Sequence, residues 1–301
     1  GADNRSSVVT GSPWAFYGKA TAVSVITSLI TENANNTFDI AVDASKLCKN
    51  ERFSNQPSID YGCTGFLVAP DLLVTAGHCV YAVNTPNKER VREGKDGDGC
   101  RTFKWVFDYA ESSKGQTQVS QIPKSRLFHC KELIYAVQKE QSPWTDYALI
   151  RLDRPAVGRT PLRMNAGPLT SSTSLSTLGH PFGSPLKFMN AAHIRANDPN
   201  RSSFITTLDA FEGNSGGPVM NVANEVVGIL IGGTPMNNTY TDPVNKCERI
   251  NKCTEDASRC NSVDDAEVMA KLRTQGFQTI GSEVQRIQPI IDLVNAEAAR
   301  R

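Results

Sequence analysis

The chain has 301 residues, and its 32 lysines and arginines nearly balance its 31 aspartates and glutamates, which leaves a formal net charge of +1. A surface without a strong overall field does not favour nucleic acid or an anionic membrane as a partner, so neither is expected. No apolar run approaches the roughly 20 residues of a membrane-spanning helix, and residues 1–10 are too polar for a signal peptide. A soluble chain, either two domains or one large β unit, is expected.

Most of the first 230 residues form short apolar runs separated by turn residues, which is the pattern of antiparallel β-strands. These runs occupy residues 21–30, 65–76, 103–110, 146–152 and 225–233. The strongest of them, 146–152, leads into a segment, 153–169, with three prolines and two glycines. Because such a segment is typical of a linker, we place a domain boundary near residue 158. The fold class predicted is all-β, with domains 1–158 and 159–301.

The composition changes after residue 234. Residues 235–275 hold three of the eight cysteines and few apolar side chains, which indicates a Cys-rich surface insertion. Ser262 and Asp265 resemble a capping box, and a short helix that ends at Gly276 is predicted within this region. A last strand is expected at residues 283–287. A terminal helix is expected at 289–299, because proline is favoured at the first helical position.

Eight cysteines are present, at positions 48, 63, 79, 100, 130, 247, 253 and 260. The even number, with no C-x-x-C pair and no histidines at zinc-finger spacing, favours disulfides over a metal cluster. Disulfides in turn indicate an oxidising compartment, so a secreted protein, extracellular or periplasmic, is expected. Cys63 and Cys79 form one candidate pair. The other six cysteines allow 15 pairings; we favour Cys100 with Cys130, which requires one of the three clustered cysteines to reach Cys48.

Three motifs carry candidate chemistry. Ser215 lies between glycines in FEGNSGGPV, His78 ends an apolar strand in LLVTAGHCV, and Asp146 precedes a strand in WTDYALIRL. Acyl transfer by serine needs a base for the hydroxyl proton, a carboxylate that orients the base, and donors for the oxyanion. Each motif supplies one of these groups. The other histidines, His129, His180 and His193, have no motif around them and are expected to be structural.

The order of these motifs, TAGHC, then DYALIRL, then GNSGGPV, resembles that of the chymotrypsin-fold serine proteases. The resemblance implies two six-stranded antiparallel barrels, with a protein or peptide as substrate and no metal or other cofactor. His78 and Asp146 would lie on the first barrel and the nucleophile Ser215 on the second. In this family His78 would be the general base, Asp146 its orienting partner, and the N–H groups of Gly213 and Ser215 the oxyanion hole.

Two departures bear on activation and specificity. Animal digestive proteases have an aspartate directly before the serine, which pairs with a newly cut N-terminus; here the residue is Asn214, so that activation is not expected. GNSGGP with asparagine resembles bacterial branches of the fold, including the glutamyl endopeptidases. That branch has a histidine where this chain has Leu230, in GILIGG, which argues against specificity for glutamate.

Asp209 lies six residues before Ser215, where an aspartate in trypsin-like enzymes pairs with a substrate arginine or lysine. Against this, Phe211 replaces the cysteine that braces the pocket in those enzymes, so cleavage after Arg or Lys and other specificities both stay open. Ser282 is a candidate for the rear wall of the pocket. The remaining substrate-binding candidates are Ala210, Leu230, Ile231, Gly232 and Gly233.

Two further hypotheses of function stay open. One is a narrow-specificity processing protease or toxin, including a Glu-specific one, in which the insertion at 235–275 limits access. The other is a catalytically silent binding module, because a fold alone does not establish activity. A monomer is expected.

Overall fold

The computed structural model describes residues 3–9, 11–60, 62–80, 89–139, 145–233, 239–252, 254 and 281–300. The chain is mostly β, as predicted. The strands of its first half are β1 (Ser6–Ser7), β2 (Thr21–Ile26), β3 (Ile30–Glu32), β4 (Thr37–Ile40), β5 (Asp43–Ala44), β6 (Pro57–Ser58), β7 (Thr64–Ala69), β8 (Leu72–Thr75), β9 (Glu89–Gly94), β10 (Phe103–Phe107), β11 (Ile122–Pro123), β12 (Leu127–Lys139) and β13 (Thr145–Leu152).

The described residues after Leu152 form nine further strands and the longest helix that the structure describes. The strands are β14 (Leu175–Gly179), β15 (Lys187–Ala192), β16 (Ile194–Ala196), β17 (Ser203–Thr206), β18 (Pro218–Met220), β19 (Val226–Gly233), β20 (Thr239–Thr241), β21 (Glu248–Ile250) and β22 (Ser282–Arg286). The α-helices described are α1 (Ala15–Gly18), α2 (Asp98–Arg101) and α3 (Gln288–Ala298), and single 3₁₀ turns occupy Thr27–Leu29, Gly77–Val80, Lys124–Arg126 and Pro181–Gly183. In the described part of the chain, no helix has the length and apolar character needed to cross a bilayer.

The first sheet closes on itself. Its strand order is β10-β2-β7-β8-β13-β12-β9, and β10 also pairs with β12, which joins the ends of a six-stranded barrel and leaves β9 outside. The barrel encloses large apolar side chains, among them Phe66, Trp105, Phe107, Leu133 and Leu149, all fully buried. The closed barrel predicted for this half is confirmed.

The second sheet is a half-barrel in its hydrogen bonding. Its order is β1-β15-β14-β18-β19-β22-β17-β16, and no ladder among the described strands joins β15 to β16. These two strands are consecutive along the chain and separated by His193 alone. Ala191 has φ of +57°, a conformation that breaks a strand, so one long strand bends here and pairs with β14 on one side and β17 on the other. The predicted all-β, chymotrypsin-like fold class is confirmed, with the second sheet a half-barrel in its ladders.

The predicted strand at 283–287 is β22 and the predicted helix at 289–299 is α3, so both are confirmed to within one residue at each end. Most of the insertion, including the helix predicted around Ser262, lies outside the described residues; its described part is the hairpin β20–β21. The boundary near residue 158 stays a prediction. β1, although in the first half of the chain, pairs with β15 of the second sheet.

Three disulfides are present in the described residues. Cys63 pairs with Cys79 and Cys100 with Cys130, as predicted. The clustered cysteine that reaches Cys48 is Cys247, and this bond ties the β20–β21 hairpin to the first half of the chain. Cys253 and Cys260 lie outside the described residues.

Candidate active site

His78 and Asp146 meet at the end of the first barrel. His78 lies in the 3₁₀ turn after β8, beside the Cys63–Cys79 disulfide, and Asp146 is the second residue of β13. The Asp146 carboxylate accepts two bonds from His78: Oδ1 from the backbone N–H at 2.9 Å, and Oδ2 from ring Nδ1 at 2.6 Å. Because a carboxylate can only accept, the proton of a neutral His78 lies on Nδ1, and Nε2 is left as the basic nitrogen.

The surroundings of Asp146 explain why this contact forms. Its side chain is 1% exposed, and its backbone N–H donates to Oε1 of Gln285 on β22 at 3.1 Å. At Gly77 an added Cβ would overlap the carbonyl oxygen of Val137 and lie 2.9 Å from Asp146 Oδ1. Gly77 is thus needed for the close approach of the two chain segments. Neither Gly77 nor Gln285 was identified from sequence, because their roles depend on contacts across the chain.

Ser215 lies in a tight turn that glycines make possible. Gly213 and Gly216 have φ of +92° and +87°, and an added Cβ at either would overlap a backbone oxygen, that of His180 or Thr64. The Ser215 carbonyl accepts the Thr64 N–H at 2.8 Å and lies 3.7 Å from Cys79 Sγ. The turn therefore packs against the disulfide and the residues that flank His78.

Asn214 is completely buried. Its backbone N–H donates to the Phe211 carbonyl at 3.0 Å, and its amide Nδ2 lies 3.5 Å from Met189 Sδ. A neutral amide tolerates this apolar site better than a carboxylate would, because an isolated charge is costly to bury.

The segment before Ser215 contains Asp209. Its Oδ2 accepts the backbone N–H of Asn4 at 3.0 Å, whereas Oδ1 accepts no hydrogen bond from the residues that the structure describes. Burial raises the pKa of the Asp209 carboxyl above its ordinary value. Nearby, the Ser282 hydroxyl donates to the Leu208 carbonyl at 2.7 Å, which places the end of β22 against this segment.

The other predicted pocket residues fall into two groups. Leu230 and Ile231 are buried in apolar clusters, so their side chains belong to the core. Gly232 and Gly233 are half-buried at the end of β19, and an added Cβ at Gly232 would meet open space. Ala210, in the segment before Ser215, is also half-buried. Of the predicted pocket residues in these two groups, the two glycines and Ala210 are thus the ones that are partly exposed.

The remaining histidines make structural contacts. His180 is completely buried and its Nδ1 donates to the Ser184 carbonyl at 3.1 Å; burial lowers its pKa to about 3. The backbone N–H groups of His129 and His193 donate to Asp153 and Thr207. Cys63, His78 and Cys79 cluster within 4.8 Å, but the two sulfurs are bonded to each other and are not thiolate ligands, so this cluster does not fit a metal.

Comparison with known proteins adds family membership to this geometry. A family model described as the trypsin-like peptidase domain matches residues 63–229, more than half of the chain. The chain belongs to the trypsin-like peptidase family. It is thereby placed among the serine endopeptidases, and the matched region includes His78, Asp146 and Ser215.

Three solved structures similar to this trypsin-like peptidase are distant from it in sequence. A Glu endopeptidase is 20% identical, with a TM-score of 0.47, over 78% of this chain and 87% of the other. Rv3671c from M. tuberculosis H37Rv, in an inactive form, is 13% identical with a TM-score of 0.43 over 98% of both chains. Kallikrein-related peptidase 10 is 15% identical with a TM-score of 0.42, over 79% of this chain and 90% of its own. TM-scores this low support no conclusion about specificity.

One curated relative shares a short similar stretch with the chain. The "Extracellular metalloprotease" of Bacillus subtilis (strain 168) is 72% identical over 25 residues, which is 8% of this chain and 8% of that protein. The match spans too little of either protein to carry its activity over.

Proposed function

We propose that this chain hydrolyses peptide bonds through His78, Asp146 and Ser215. The observation that carries the proposal is the double contact between Asp146 and His78, at 2.9 and 2.6 Å, beside the turn that holds Ser215. His78 Nε2 takes the proton of the Ser215 hydroxyl as Oγ attacks the carbonyl, and returns it to the leaving amine. Water then hydrolyses the acyl-enzyme by the same proton transfers in reverse order.

The N–H groups of Gly213 and Ser215 form the oxyanion hole in this proposal. The positive φ of Gly213 supports it, because a residue with a side chain would turn this N–H elsewhere or clash. Donors held in advance stabilise the developing negative charge without reorganisation during the reaction.

The proposed specificity is cleavage after arginine or lysine, with Asp209 at the base of the pocket and Ser282 in its rear wall. Support comes from the Asp209 carboxyl, whose pKa is raised by burial and whose Oδ1 has no hydrogen-bond partner in the described residues. A cationic side chain would stabilise the charged form of such a group. The glycines 232 and 233 would pair with the substrate as an added strand.

A peptide library profiled by mass spectrometry tests these roles, with wild type and Ser215→Ala compared in parallel. We expect cuts after arginine and lysine that vanish in the variant. Ser215-dependent cuts after other residues would keep the three catalytic roles and remove Asp209 from the pocket. Equal rates of cleavage after arginine by wild type and Asp209→Ser would lead to the same conclusion. No Ser215-dependent cuts would favour a silent binding module.

A narrow-specificity processing protease is favoured by one observation. A cavity of about 320 Å³ reaches Gly213, and its wall includes Thr239 and Glu248 of the β20–β21 hairpin and Leu47 beside the Cys48–Cys247 bond. The hairpin would restrict what binds near the oxyanion hole. Deleting 235–275 together with Cys48→Ser, so that no thiol is left unpaired, should broaden the library profile; an unchanged profile would reject the restriction.

Secretion to an extracellular or periplasmic compartment is part of the proposal and is supported by the three disulfides, which persist in oxidising surroundings. A protein or peptide substrate follows from the family. A monomeric state and the absence of a nucleic-acid partner stay predictions.

A further inference from the structure

The largest buried charged side chain of the described residues is Arg5, which is 1% exposed. Its Nε and Nη2 donate to the two carboxylate oxygens of Asp3 at 2.8 and 2.7 Å. The next two residues, Ser6 and Ser7, pair with Phe188 and Lys187 of β15. We call residues 3–7 the N-terminal clasp, because they bind the second sheet at several points.

The clasp contacts the segment that leads to the proposed nucleophile, residues 208–216, which we call the nucleophile loop. The Arg5 guanidinium carbon lies 4.7 Å from the centre of the Phe211 ring. The Asn4 backbone N–H donates to the Asp209 carboxylate at 3.0 Å. Two residues of the clasp thus hold two residues of the loop.

Phe211 connects the clasp to the oxyanion donors. Its carbonyl accepts the Asn214 N–H at 3.0 Å, and this closes the turn around Gly213. Its ring lies 5.0 Å from that of Phe182, whose backbone N–H donates to the carbonyl of Glu212 at 2.6 Å. A shift of the Phe211 ring would therefore move the peptide groups on either side of Gly213.

We propose that Arg5 is a positioning residue for the oxyanion hole and acts through Phe211. The proposal rests on the proposed function, in which the Gly213 N–H binds the oxyanion. Arginine suits the site because its planar group pairs edge-on with the Asp3 carboxylate while its faces stack on aromatic rings. Without the clasp, the loop would keep its glycine turn but lose the contact that fixes its orientation.

A merely structural role is the alternative, and the chain offers a matched control. Arg159 donates to both oxygens of Asp108 at 2.9 and 2.6 Å, and its guanidinium carbon lies 4.5 Å from the Phe107 ring centre. This group has the same chemistry as the Asp3–Arg5 pair, but its ring belongs to the first barrel.

The experiment compares Asp3→Asn/Arg5→Met with Asp108→Asn/Arg159→Met, so that neither variant leaves a buried carboxylate without its cation. Hydrogen exchange at the amides of the nucleophile loop is measured beside kcat and KM. For the clasp variant we expect faster exchange in the loop, kcat lower by roughly tenfold or more, and KM nearly unchanged, since a displaced donor affects the transition state more than the substrate. The control should change neither.

Three results would overturn the inference. Hydrogen exchange in the nucleophile loop of the clasp variant could be unchanged, or it could become faster by the same factor in both double variants. The third result is faster exchange in the clasp variant with an unaltered kcat. If the clasp variant does not fold, Arg5→Lys keeps the charge and loses the planar stack, and an effect in the same direction is expected. Wild type without Ser215-dependent cleavage would instead reject the proposed function, and the exchange comparison would still decide whether the clasp positions the loop.

Discussion

The two sheets differ in what their interiors contain. In the six described strands of the first barrel, Asp146 is the only buried ionisable side chain, and the core around it is apolar. Around the second sheet Arg5, His180, Lys187 and Glu283 are all buried. The strands of the first barrel thus bury an ionisable side chain only at Asp146, whereas several are buried around the second sheet, and one of these, Arg5, contacts Phe211 of the nucleophile loop. The free energy of unfolding of the protein should therefore depend on pH through the buried groups around the second sheet.

The largest effect should come from opening the apolar core. Trp105 is fully buried, and an added Cβ at Gly65 would lie 2.7 Å from its ring, so the indole packs directly on the backbone of β7. Trp105→Ala should lower the free energy of unfolding by about 3–5 kcal/mol, because it removes apolar area and leaves a cavity. Denaturant titration would measure this.

The effect of Trp105→Ala should not depend on pH. No titratable group is removed, so the loss should be the same at pH 5 and pH 8. Trp105→Phe, which refills much of the space, should cost less. A loss that changes with pH would show that the first barrel is coupled to the buried charges of the second half.

Acid should lower the stability of the protein through His180. Burial lowers its pKa to about 3 from an ordinary value of about 6.5, so between these values the unfolded chain binds a proton that the native protein does not. Wild-type stability should fall as pH drops from about 6.5 towards 3. In His180→Gln this contribution is absent, and the gap between variant and wild type should close, or reverse in favour of the variant, over that window.

His129→Gln is the matched control for this pH effect. Burial lowers the pKa of His129 as well, but the residue is half-buried on β12, so its contribution should be smaller. Equal effects from the two substitutions, measured by urea titration at pH 7 and pH 4, would contradict the special role of the buried site.

Local patterns predicted the strands, the terminal helix and the glycine turn at Ser215, because each depends on residues adjacent in sequence. The contact between His78 and Asp146 was predicted from motifs and is observed at 2.6 Å. Arg5 was not identified, since Asp-x-Arg in a polar stretch is typical of a solvated surface, and only the rings of distant residues bury it. The bend at Ala191 was missed for a related reason: nothing in the local sequence demands a positive φ there.

The smallest effect is expected at Lys187. It is completely buried, and its Nζ donates to the Pro185 carbonyl at 2.8 Å and lies 3.6 Å from a Glu111 carboxylate oxygen. Lys187→Met loses these contacts but also removes the cost of burying an ammonium group, so stability at pH 7 should change by only about 1 kcal/mol in either direction.

The pH dependence of the stability of Lys187→Met tests whether Lys187 contributes to the pH dependence expected from the second sheet. Burial lowers the pKa of Lys187 to about 8 from 10.5, so between these values the unfolded chain holds a proton that the native protein has lost, and wild-type stability should gain with rising pH. Lys187→Met should lack this gain, whereas Lys46→Met, at a side chain that is 78% exposed, should keep it. If the stability of both variants rose with pH as in wild type, Glu111 would compensate the charge of Lys187 within the fold. The pH dependence around the second sheet would then come from His180.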